Sequence, residues 1–194
     1  LKNTDSSGSN ILFDATIDSE KKVITIDLNS DLSSDQIVYV AIGTTLEDSY
    51  NNAINSASAT FTSADSLPPS VVIEAVITAS IATNSDITFT FSEPIRNLDD
   101  TALTDDNVGS LLTLKDTDAD GFDISFTATI NAAKTCMTIN PTSNFASKQT
   151  IYASIGPTVE DDANNVVPAS SKTFVAEYLA SELSNPFSDK NFVG

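Results

Sequence analysis

The run Asp116-Thr117-Asp118-Ala119-Asp120-Gly121-Phe122-Asp123 holds the densest oxygen chemistry of the chain. Asp116, Asp118 and Asp120 alternate, and a glycine follows. Hard cations such as calcium take oxygen ligands at positions one, three and five of a loop whose sixth residue is a glycine for the tight bend. Asp123 extends the set. The bidentate glutamate expected at position twelve is missing, because Thr127 stands there. Calcium is the cofactor these four aspartates could hold; an ordinary Asp-Gly hairpin turn is the competing reading. A second group, Glu160, Asp161, Asp162 and Asn164, could hold a cation or cap a turn through side-chain to backbone hydrogen bonds. A third, Asp99, Asp100, Asp105 and Asp106, reads as solvated loop.

Catalysis finds little to work with. The chain has no histidine, so Ser–His and Cys–His nucleophiles are excluded. Carboxylates are plentiful, but there is no tryptophan and only 7% of residues are aromatic, which leaves few platforms for a sugar ring. No enzymatic activity is expected. The net charge of −18 repels phosphate backbones and anionic lipid, so nucleic-acid and membrane-surface binding are not expected either. No apolar run is long enough to span a membrane. The single Cys136 cannot form an internal disulfide and reads as a small buried side chain. Serine and threonine make up about a quarter of the residues, and no Asn-x-Ser/Thr acceptor occurs, so any glycan would be O-linked. Leu1 is not an initiator residue, and the chain is expected to be a processed or excised piece of a longer precursor.

The elements that must position these groups come in two copies. Shifted by 113 positions, residues 1–62 fall on residues 114–175 without a gap, and about two in five pairs are identical. A gapless match of that length marks an internal repeat. Asn3, Asp5, Ser7 and Gly8 lie over the calcium-like run with fewer charges. Glu47, Asp48 and Asn51 lie over the second acidic group. Phe13/Phe126, Ala15/Ala128, Ile17/Ile130 and Ile26/Ile139 alternate with polar residues, the period of strands with one buried face. Strands are expected over 10–17, 23–28, 37–42 and 57–62, and again in the second copy. Residues 70–79 and 86–93 add two more, with Ile87, Phe89 and Phe91 on one face. A single helical turn is expected within 97–106, and weak helix over 177–183. The paired prolines Pro68 and Pro69 mark a break. The expected organisation is a partial repeat over 1–62, a linker over 63–69, a complete domain over 70–178 and a tail over 179–194.

Pro68-Pro69 before an apolar strand, Phe91-Ser92-Glu93-Pro94 at a strand end, and the turn Asp161-Asp162-Ala163-Asn164-Asn165 together resemble the Ig-like domains of bacterial surface-layer and other extracellular proteins. The turn carries Asn164 where that family usually has glycine, a mild departure because asparagine tolerates the left-handed backbone. The resemblance covers about 68–178, and the first copy resembles only the latter half of such a domain. It implies an all-β, Ig-like Greek-key β-sandwich, here a tandem repeat with a partial first copy. It also implies an extracellular or cell-surface location and a spacer or assembly role, with no catalytic residues. The expected function is a structural subunit of a filament or surface layer built by head-to-tail contacts; the alternative is an adhesin or carbohydrate-binding spacer. Without its early strands the first copy would leave an apolar face and an unpaired edge. Upstream chain, packing against the second copy, or a neighbouring subunit could cover it. The tail offers Tyr178, Leu179, Leu183, Phe187, Phe192 and Val193 as residues for such self-association into a head-to-tail polymer.

Overall fold

A computed structural model describes residues 1–75, 82 and 85–177. The chain is all-β and divides into two compact units, Leu1–Leu67 and Pro68–Gly194.

The first unit has five strands: β1 (Lys2–Asn3), β2 (Phe13–Ile17), β3 (Ile24–Leu28), β4 (Ile37–Ile42) and β5 (Ala57–Thr62). They form a three-stranded sheet, β1-β4-β5, and a separate hairpin, β2-β3. The hairpin closes where Lys21 takes a left-handed backbone at φ 57°. The Asp18 carboxylate accepts the amides of Lys22 and Val23 at 2.7 and 3.0 Å, which satisfies backbone groups the turn leaves free. These hydrogen bonds hold its carboxyl below the usual aspartate range, the Val23 amide being the largest cause and the Lys22 amide the next.

The second unit repeats this frame and adds to it. Its strands are β6 (Val71–Ala75), β7 (Ile87–Phe91), β8 (Arg96–Asn97), β9 (Leu112–Asp116), β10 (Phe126–Ile130), β11 (Cys136–Pro141), β12 (Thr150–Ile155), β13 (Val159–Glu160) and β14 (Ser170–Val175). One sheet runs β10-β11-β7-β6 and another β14-β12-β9; β8 and β13 pair apart from both. The strict alternation in β7 puts Ile87, Phe89 and Phe91 inside and Thr88 and Thr90 outside. Met137 and Ile139 of β11, Leu112 and Leu114 of β9, and Ile151, Ala153 and Ile155 of β12 meet them in one core. Burying one such side chain contributes roughly 1.5–3 kcal/mol, so this face supplies much of the unit's stability. Among the described residues no buried side-chain nitrogen or oxygen lacks a hydrogen-bond partner.

The 113-residue offset holds in three dimensions. β2, β4 and β5 coincide end for end with β10, β12 and β14. Ile37 pairs with Thr62 as Thr150 pairs with Val175. Left-handed residues recur at Thr4/Thr117, Lys21/Lys134, Asp35/Lys148 and Asn51/Asn164. A Cβ on Gly8 would lie 1.5 Å from the Asn3 carbonyl oxygen, and one on Gly121 would lie 1.6 Å from that of Asp116. Glycine is therefore required in both turns by close approach of backbone.

Four expectations need correction. The helical turn falls at Val108–Leu111, as one turn of 3-10 helix that buries Val108, and not within 97–106. Cys136 is only half-buried, because the alternation of β11 gives the inner face to Met137 and Ile139. The one buried face expected of both copies exists only in the second: every residue of β2 and β5 is exposed, and Val38 is the one fully enclosed apolar residue described in the first unit. The third acidic group is not simply solvated, as Asp100 pairs with Arg96 and Asp105 accepts the Ile130 amide. The weak helix expected over 177–183 lies, from Tyr178 on, outside the described residues.

Candidate functional site

The first unit carries an open apolar groove of about 440 Å³. The hairpin supplies Phe13, Ala15, Ile24 and Ile26; the sheet supplies Val40, Ala41, Ile42, Ala57, Ser58 and Ala59. These strands form because their apolar residues alternate, yet the hairpin and the sheet leave the groove they line open. Phe13 is 38% exposed, Ile24 42% and Ile26 37%. Among the described residues β3 pairs with β2 and with nothing on its other side. Its equivalent, β11, pairs on that side with β7, placing Met137 opposite Phe89 and Ile139 opposite Ile87. Such an apolar face beside an unpaired strand edge takes up extended polypeptide, and no group in the lining is suited to acid–base or nucleophilic work.

The carboxylates of the acidic turns accept hydrogen bonds from their own turns. In the calcium-like run, the Asp116 carboxylate accepts the Phe122 amide at 2.6 Å, and Asp118 accepts the Asp120 amide at 2.9 Å. Asp123 pairs with the Lys115 ammonium at 3.3 Å, and that ammonium also donates to the Gly121 carbonyl. These residues line a hairpin turn. In the first copy Asp5 accepts both the hydroxyl and the amide of Ser7; those two bonds, the hydroxyl first, lower its carboxyl pKa.

At the second acidic group, Asp161 is 1% exposed and accepts the amides of Ala163 and Asn165 through one oxygen and the Asn165 side chain through the other. Its counterpart Asp48 makes the same three bonds, to Tyr50 and Asn52, in the open. The Asn52 side chain, then its amide, then that of Tyr50 lower the Asp48 pKa. Both turns use the carboxylate as a backbone acceptor.

A residue the sequence reading passed over supplies the positive charge. Arg96, on β8, reaches Glu160 at 3.3 Å, Asp100 at 2.6 Å and Asp162 at 3.9 Å, and donates to the Asn164 side chain at 3.1 Å. Its sequence signal was weak: the chain holds nine basic residues in all, and Arg96 stands 64 positions from Glu160. Asp105 accepts the Ile130 amide at 2.8 Å, tying the 97–106 loop to β10. The tail residues Tyr178, Leu179, Leu183, Phe187, Phe192 and Val193 lie outside the described residues.

Comparison with curated proteins gives no match. Comparison with protein families gives the Bacterial Ig-like domain over residues 65–176, more than half of the chain. Domains of that family are typical of bacterial surface proteins and are of a non-catalytic type. The sandwich of the second unit, its two sheets and its single core, accords with that match, and the chain belongs to the bacterial Ig-like domain family.

Proposed function

We propose that the protein is a structural module of an extracellular or cell-surface assembly, in which Ig-like units join head to tail, those of neighbouring copies included. One observation carries this reading. The first unit repeats the strands and turns of the second, yet leaves Ile24 and Ile26 open where Met137 and Ile139 are enclosed. An apolar face of this kind, next to an unpaired strand, associates with other polypeptide. The family's typical presence in surface proteins and the acidic surface support the setting. Contacts between different surfaces do not close on themselves, so they propagate along an axis.

Sedimentation velocity over a range of concentrations tests the proposal. The wild-type chain is expected to grow in mass with concentration, and Ile26→Asp, which places a charge in the groove, to remain monomeric. A wild-type chain that stays monomeric at the highest concentration reached would overturn it.

A further inference from the structure

We infer that the groove of the first unit selects a β-strand pair built like β6–β7, with the inner strand lying antiparallel to β3. The occupant is defined by the repeat. β11 and β3 are equivalent strands, and β7 covers β11 in a fixed register: Thr90 opposite Cys136, Phe89 opposite Met137, Thr88 opposite Thr138 and Ile87 opposite Ile139. Carried back 113 positions, that register sets a bulky apolar residue opposite Ile24, another opposite Ile26, and a small polar residue opposite Thr25 facing away from the groove. All four of Ile87, Phe89, Met137 and Ile139 are 0% exposed in the completed unit, whereas Ile24 and Ile26 stand open.

A small apolar molecule could fill 440 Å³, but it would leave the amides and carbonyls along β3 without partners. A strand fills the groove and pairs the edge together. Nearly every lining residue is apolar, so selection rests on the alternation of bulky side chains and on backbone pairing, not on charge. Residues 178–194 carry no two bulky apolar residues two positions apart, so they do not present this pattern. The inference rests on the reading of the first unit as an acceptor of other Ig-like strands, and names what it accepts.

The test uses the full chain and a fluorescent peptide of residues 85–94, flanked by lysines for solubility. Saturable one-to-one binding is expected, weakened at least tenfold by Ile26→Asp in the protein and by Phe89→Thr in the peptide. Two further peptides separate strand pairing from mere apolar contact without altering the protein. One is N-methylated at 87 and 89, the other at 88 and 90. An added strand presents alternate amides to its neighbour, so one peptide should lose binding and the other keep it. Absence of binding, equal binding by both methylated peptides, or indifference to Ile26→Asp would each overturn the inference. So would displacement of the peptide by a fatty acid that fills the groove while the β3 amides stay open to hydrogen exchange. A chain that binds the peptide yet never self-associates upholds strand selection and defeats the head-to-tail reading. A chain that assembles but ignores the peptide does the reverse.

Discussion

Ile24 and Ile26 stand 42% and 37% exposed, while Met137 and Ile139, at the same points of the repeated frame, are fully enclosed. Sheet pairing, hairpin register, left-handed turn residues and required glycines are common to the two units. What the second unit has in addition is β6 and β7, the β8–β13 pair and the 3-10 turn at Val108–Leu111. Secondary structure thus survives in the first unit on local pairing and turn chemistry, and burial is what the additional strands bring. The strand pattern of a sandwich and its core are separable properties of one sequence.

The sharpest way to probe that separation is the matched pair Ile139→Ala and Ile26→Ala. The first opens a cavity in a closed core and is expected to cost about 2–5 kcal/mol. The second removes a side chain already partly in water and should cost under about 1 kcal/mol. Chemical denaturation with separate probes in each unit measures both. Equal losses would mean that the first unit is closed in solution.

The next pair is Asp161→Ala against Asp48→Ala. Each removes the acceptor of two amides and one side chain. At Asp161 the carboxylate is buried and its three bonds are partly shielded from water, for an expected loss of about 1–3 kcal/mol. At Asp48 water takes over and the loss should be distinctly smaller. Thermal midpoints rank them, and a reversed order would break the comparison.

Acid should affect the first unit in a defined direction. Asp18 and Asp48 have folded pKa values below the unfolded value of 3.8. The unfolded state therefore binds more protons in that window, and stability rises with pH there. The contribution is fully present well above pH 3.8 and is lost as pH falls through the lower folded values. Following the Val23 and Tyr50 amides by NMR against pH should show the transitions below 3.8, and transitions at or above it would contradict the hydrogen-bonded turns. The smallest effect is expected of calcium. Asp116 and Asp123 are already engaged by the Phe122 amide and Lys115, so millimolar calcium against chelator, and Asp118→Ala, should each move the melting midpoint by less than about 4 °C. A larger, chelator-reversible rise would assign the ion to this turn.

Much of this was legible in the residues. Period-two alternation and turn chemistry act over a few positions, which is why Ile87, Phe89 and Phe91 declared their face and why the gapless register carried over into strand pairing. The exposure of Phe13, Ile24 and Ile26 was not legible in the local alternation, which both copies share, but it was legible in the comparison of the copies, because the first lacks the strands that precede the second. The outward face of Cys136 followed from the register of β11 and not from residue type. Arg96 was hidden because, apart from Asp100 four residues on, its partners meet it only through the β8–β13 pairing.

The shared register also bears on kinetics. While the chain is folding, β7 has two nearly equivalent edges available, β11 and β3, and the alternation that fits one fits the other. The sequence intervals, 46 residues from Thr90 to Cys136 and 61 from Ile26 to Ile87, differ too little for loop closure to discriminate strongly. Discrimination falls to contacts only the second unit makes, such as the Lys134 ammonium on the Leu103 carbonyl and the Asp105 carboxylate on the Ile130 amide. A variant with that loop loosened would lose this discrimination, and crossed pairing between repeats is a misassembly characteristic of tandem arrays.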